Sequence, residues 1–125
     1  MRILVCGSTG FIGRNIVKSL QKVNGYKVTA VYNKRPPFLI DNVDFVQADL
    51  TVADDVERVV KSHDIVIQAA ANTTGVKDVI ERPYVHVTDN AVMNSLILKS
   101  CYDNHVKKFI FFSCTVMYQT KAQPF

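Results

Sequence analysis

Ile3-Leu4-Val5-Cys6-Gly7-Ser8-Thr9-Gly10-Phe11-Ile12-Gly13 reads as an apolar strand that turns sharply into a helix. The three glycines serve separate ends: Gly7 permits the tight turn, Gly10 lets a pyrophosphate approach the backbone, and Gly13 lets helix and strand pack closely. The helix that opens here directs its unpaired N–H groups and positive dipole end at the same place. Thr9, Phe11 and Ile12 therefore join Gly7, Gly10 and Gly13 as candidate cofactor-binding positions.

Context is what raises this motif above an ordinary turn. It follows a strand, opens a stretch with Ile12, Ile16, Leu20 and Val23 at helical spacing, and reaches a second strand, Lys27 to Tyr32, as a βαβ unit should. The spacing is G-x-x-G-x-x-G, not the G-x-G-x-x-G most often quoted for dinucleotide sites.

Further along, Asn33-Lys34-Arg35-Pro36-Pro37 is a turn, since successive prolines lack donors and bias their neighbours away from helix. Val43 to Ala48 alternates as a third strand and exits through Asp49-Leu50. Thr51 is expected to cap the next helix, with Asp54 completing a capping box and Val52, Val56, Val59 and Val60 forming its buried face. Asp64 to Ala69 is a fourth strand, apolar on both faces as a covered parallel strand should be. The connection from Asn72 to Arg82, with Thr73-Thr74-Gly75, is expected to be a flexible lid. Pro83 suits the first turn of a long helix that buries Val92 and Leu96 and ends near Asn104-His105. Lys108 to Ser113 is the fifth strand, and Cys114 to Tyr118 leaves its end.

Strands alternating with helices through right-handed crossovers predict an α/β fold: a doubly wound parallel sheet, the Rossmann fold, ordered 3-2-1-4-5. Ligand then belongs at the C-terminal strand ends, where the glycine turn, Asn33-Lys34-Arg35, Asp49-Leu50, Ala69-Ala70-Ala71 and Ser113-Cys114-Thr115 all converge.

Composition sets the outer bounds. A chain of 125 residues, 48% hydrophobic, builds one core and one domain, residues 1–125. Cys6, Cys101 and Cys114 lie in apolar segments without a C-x-x-C pair or a nearby His cluster, which argues against a disulfide framework or a zinc site and fits a reducing cytoplasm. No apolar run approaches the length of a signal core or a membrane span. The net charge of +4 comes from scattered cations, with Lys107-Lys108 a solvated edge before a strand, and makes no nucleic-acid stripe.

On these residues the chain resembles the extended short-chain dehydrogenase/reductase family, the NAD-dependent epimerase/dehydratase family of nucleotide-sugar enzymes. The resemblance runs from Met1 to Tyr118. It implies that Asp49 in Ala48-Asp49-Leu50 accepts from the adenine amino group. Gln68-Ala69-Ala70-Ala71 is similar to the family's H-x-A-A segment, with glutamine for histidine, where small residues let the dinucleotide pass close to the backbone. Pro83 through Asn90 is similar to its P-x(6)-N helix, in which the Asn supports the active-site strand; the length here and the Thr-Thr-Gly loop are most similar to the GDP-fucose synthase branch. A nucleotide-sugar substrate and a homodimer built through the helix after the fourth strand are further implications.

The same resemblance implies a Ser or Thr after the fifth strand that polarises the substrate, and a Tyr-x-x-x-Lys pair whose tyrosine moves the proton because nearby positive charge lowers its pKa. Cys114 stands at the usual Ser/Thr position, but a thiol donates weakly, so Ser113 or Thr115 is expected to supply the hydroxyl while Cys114 lines the pocket. The Tyr-x-x-x-Lys pair is absent before Phe125, and Tyr118 is no substitute, since Ala122 stands four residues later. The chain is therefore expected to be the cofactor-binding part of a longer enzyme and not to turn over a nucleotide sugar by itself. The alternative is a non-catalytic dinucleotide-binding module or redox-sensing regulator. A flavodoxin-like signalling domain of similar size has no need of the three glycines.

Cofactor choice rests on the second strand's exit. NAD-binding relatives place an acid there; here Tyr32-Asn33 stand in its place and Lys34-Arg35 follow, a cation and a planar guanidinium suited to a 2′-phosphate. The expectation is NADP over NAD.

Overall fold

The computed structural model describes residues 1–73, 80–82 and 84–113. Its centre is β1 (Arg2–Cys6), whose Ile3, Leu4, Val5 and Cys6 are all buried, as a strand covered on both faces requires. β2 (Lys27–Tyr32) and β4 (Ile65–Gln68) pair with it on either side, and β3 (Val43–Gln47) and β5 (Lys108–Phe111) form the edges. All four pairings are parallel and the order is β3-β2-β1-β4-β5, as expected. β3, β4 and β5 are each one or two residues shorter than the apolar runs suggest.

Side-chain alternation splits the core in two. Leu4, Cys6, Val31 and Val66 face α2 (Ala53–Val60) and α3 (Tyr84–Asp103), meeting Val56, Val59 and Val60 of the first and Met93, Ile97 and Cys101 of the second. Ile3, Val5, Val28, Ala30 and Ile67 face α1 (Phe11–Leu20) on the other side, around Val17. Phe38 and Phe45 meet edge to face at 5.5 Å beside this second cluster, with the Arg14 guanidinium 4.5 Å above the Phe38 ring.

Several expected details are corrected. Thr51 does not cap α2: its hydroxyl and its N–H both donate to Asp49 Oδ1, at 2.7 and 3.0 Å, so the helix starts from Val52 with no side-chain cap and Val52 is exposed. Val23 lies beyond the end of α1 and is exposed, and Ile12 is turned outward at the helix's first turn, so Val17 carries the burial. On α3, Val92 is exposed and Met93 takes the inward place, while Leu96 packs against the core as expected. Pro83, Thr74-Gly75 and Cys114 to Tyr118 lie outside the described residues, and with them most of the expected lid.

The strand starts are clasped together. Asp64 Oδ2 accepts the Arg2 N–H at 2.8 Å and Oδ1 accepts from Lys107 Nζ at 2.7 Å, so one carboxylate joins β1, β4 and β5. Lys107 is therefore an ion-pair partner and more than a solvated edge. The Arg2 N–H, then Lys107, pull the Asp64 pKa down to about 2. A second clasp lies at the other end, where the Gly7 turn, at φ +72°, packs directly on backbone: a Cβ on Gly7 would stand 2.5 Å from Ala70 Cα, and one on Gly13 only 2.2 Å from Gly7 O.

Two outcomes follow from these clasps. Because the folded Asp64 pKa lies below its ordinary 3.8, its contribution to stability is present above that value and is lost as pH falls towards about 2. Asp64→Asn should lower the urea midpoint at pH 7, and the gap from the parent should close between about pH 4 and pH 2. Gly13→Ala should destabilise the fold by about 3 kcal/mol through overpacking against immovable backbone. Gly25→Ala, at φ +85° with open space around it, should cost only about 1 kcal/mol in the same urea titration.

Candidate functional site

The C-terminal strand ends open into a groove of about 780 Å³. Its walls are the turn after β1, the exits of β2, β3 and β4, and Asp89 and Met93 of α3.

The turn after β1 supplies the floor. Gly10 begins α1 without a side-chain cap, and no acidic residue occupies the first turn, so the first-turn N–H groups and the positive end of the helix face the groove uncompensated. A Cβ at Gly10 would meet only Gly7 O, at 3.3 Å, so the approach from the groove side is open. Ser8 is fully buried, and its hydroxyl and N–H both donate to Val31 O, at 2.8 and 2.9 Å, which pins the end of β1 to the end of β2. Gly13 lies beneath the floor, packed on Gly7, and is not part of the wall.

The β2 exit carries Asn33, Lys34 and Arg35 along the rim, all exposed. Arg35 Nη1 donates to Thr9 O at 3.2 Å, so the guanidinium reaches across to the glycine turn. Asn33 O accepts from Gln47 Nε2 at 3.1 Å, tying this loop to β3. At the β3 exit Asp49 lies half-buried on the wall, and the Thr51 hydroxyl, followed by the Thr51 N–H, holds its carboxyl below the usual carboxylate range. Its own N–H donates to Asp55 Oδ2 at 2.8 Å, and Arg58 in turn bonds Asp55 Oδ1 at 2.6 Å and Gln47 O at 3.0 Å. Leu50, also on the wall, reaches into the core.

On the other side, Ala69, Ala70 and Ala71 form the wall after β4. Buried Gln68 holds them: Nε2 donates to Asn94 Oδ1 at 2.8 Å and Oε1 accepts from the Ala70 N–H at 3.2 Å. Asn90 stands behind the wall and not on it. Its Oδ1 accepts the Asn72 N–H at 2.8 Å, and its Nδ2 donates to Asn72 O at 3.0 Å and His86 O at 2.6 Å. It positions the loop leaving β4. Ser113, just beyond β5, is exposed, while Cys114 and Thr115 lie outside the described residues. Cys6 and Cys101 are buried, and burial pushes their thiols up to about 12 and about 11, which leaves them neutral and unreactive.

Sequence reasoning missed Ser8, Asn72, Asp89 and Asn94. Ser8 lay inside the quoted motif, yet a buried hydroxyl serving the neighbouring strand leaves no periodic trace. Among the described residues no group of His, Cys, Asp and Glu could hold a metal ion, and no helix is long and apolar enough to cross a membrane.

A glycine turn that leaves open space over uncapped helix N–H groups, with a cation on the neighbouring rim, fits a phosphate-bearing dinucleotide. Comparison with known proteins agrees. UDP-glucose 4-epimerase of Vibrio cholerae is 32% identical over 114 residues, 89% of this chain and 34% of that protein. dTDP-glucose 4,6-dehydratase of Streptomyces niveus is 30% identical over 132 residues, 94% of this chain and 39% of that protein. A crystal structure of UDP-galactose 4-epimerase superposes with a TM-score of 0.79 at 30% identity, over 94% of this chain and 40% of that one. The chain thus spans about a third of the length of the curated relatives it matches. Residues 3–125 match the NAD dependent epimerase/dehydratase family, and the chain belongs to that family, as a Rossmann domain for a nicotinamide dinucleotide.

Proposed function

We propose that this chain is the cofactor-binding part of an enzyme that epimerises, dehydrates or reduces a nucleotide sugar, and that it takes NADP(H) in preference to NAD(H). The observation that carries the cofactor choice is the β2 exit: Arg35 is anchored on Thr9 O beside the glycine turn, Lys34 is next to it, and no carboxylate stands at Tyr32-Asn33. A cationic fork there suits a 2′-phosphate, whereas a ribose-binding acid would repel one.

In this reading the pyrophosphate is held by the N–H groups of Phe11 and Ile12 over Gly10. Asp49, ionised by its Thr51 bonds, accepts from the adenine amino group, and Ala69, Ala70 and Ala71 let the dinucleotide lie close to the backbone. Asn90 positions that wall through Asn72. Bound nicotinamide supplies the hydride chemistry. Ser113 or Thr115 donates a hydrogen bond to the reacting sugar oxygen, with Cys114 lining the pocket. A second copy of the chain is the proposed partner, supported by the exposed Val87, Leu98 and Tyr102 on α3.

Two measurements test this. Titrating the chain with NADP(H) and NAD(H) at moderate salt should show tighter NADP(H) binding. Arg35→Ala should remove about tenfold or more of it, the range of a charge-assisted hydrogen bond of ~1.5–3 kcal/mol, and spare NAD(H); equal affinities overturn the assignment. In a protein carrying the whole enzyme, Ser113→Ala and Thr115→Val should be assayed separately, and one of them should lose about 10²-fold or more in kcat. Full turnover in both removes the hydroxyl from the mechanism.

A further inference from the structure

The acid at the third position of α2 makes a bond that its own helix does not need. Asp55 follows Ala53 and Asp54 in the first turn, where a carboxylate ordinarily reaches back to the N–H of the residue before the helix. That N–H, on Val52, is already held by Asp49 O at 3.0 Å. Asp55 reaches three residues further, and its Oδ2 accepts the Asp49 N–H at 2.8 Å. Arg58 holds the other oxygen: its Nη2 donates to Asp55 Oδ1 at 2.6 Å and to Gln47 O, at the end of β3, at 3.0 Å. Asp55 and Asp49 carry like charges, and the Arg58 guanidinium offsets that of Asp55. Neither Asp55 nor Arg58 lines the groove, whereas Asp49 does.

Asp49 is thus held at two points. Thr51 engages its carboxylate through Oδ1, and Asp55 engages its main chain. A hydrogen bond weakens steeply as its length and angle depart from the optimum, so any shift of the Asp49 main chain is felt where the carboxylate meets a base. We infer that Asp55, steadied by Arg58, is the positioning residue for adenine selection: it aims the Asp49 carboxylate at the adenine amino group without touching the ligand. This inference rests on the reading of Asp49 given above. An acid that only supported α2 would change stability and leave the choice of base alone.

The test compares NADP+ with its deaminated analogue, nicotinamide hypoxanthine dinucleotide phosphate, whose base carries an oxygen in place of the amino group. The parent chain should bind the adenine form about tenfold or more tighter, the range of a hydrogen bond to a charged group, and Asp49→Ala should bring the two affinities together. Asp55→Ala should cut the discrimination by about threefold or more, and should change it no further in the Asp49→Ala background. Weaker binding with an unchanged ratio in Asp55→Ala overturns the inference and leaves Asp49 in its role, because a loosened fold weakens both ligands alike. A parent that binds both forms equally removes the adenine contact and this inference together, and a parent that binds neither removes the dinucleotide reading as well. Should Asp55→Ala lose its circular dichroism, Arg58→Ala decides, since that side chain is 51% exposed. Its ratio should fall by about twofold or more, and an unchanged ratio overturns the assignment.

Discussion

Everything in this domain depends on a pair of contacts between main chains. Gly7 passes so close to Ala69 and Ala70 that no side chain fits between them, and Gly13 sits equally close on Gly7 O. The first contact joins the end of β1 to the end of β4, and the second sets α1 against that junction. Because both are made by main chain, they fix where α1 starts, and its N–H groups face the groove without a competing cap. Packing of this kind leaves no room for compensation, since backbone cannot change rotamer.

Around this junction the loops are held by buried or half-buried polar side chains that each satisfy a neighbour's backbone. Ser8 serves Val31, Gln68 serves Ala70, and Asn90 serves both polar groups of Asn72. Backbone groups that would otherwise be unpaired at a groove wall are thereby satisfied. Among the described residues His63 is the exception: Nε2 meets Thr29 Oγ1 at 2.9 Å while buried Nδ1 has no partner, and burial holds its pKa below the usual value.

The fold was legible because its signals are local and agree with one another. Glycine spacing announced the turn, apolar runs of strand length announced the sheet, and the crossover rule ordered it. The phase of α3 was harder to read. Met93, Ile97 and Cys101 are buried while Val87, Leu98 and Tyr102 are exposed, so apolar residues lie on both the inner and the outer side of the helix and its inward face is set by what it packs against. Thr51 misled for a related reason: a hydroxyl that can cap a helix can equally bond a carboxylate two residues back, and Asp49 took it. Residues that bind through backbone or stand behind the wall, such as Gly13 and Asn90, were found by motif; Asp89 and Asn72 follow no period and appeared only when the chain was folded.

The parallel topology also has a temporal side. β1 reaches its second neighbour across a sequence separation such as the 62 residues between Arg2 and Asp64, and among the described residues no two strands form a hairpin. Each rung of the sheet must wait for a whole crossover to close, so loop entropy is spent well before the pairing returns it. A nascent chain therefore carries β1, its most apolar strand, with one flank unpaired until β4 arrives. The strand that finally organises the groove is, during synthesis, the one most open to pairing with another chain.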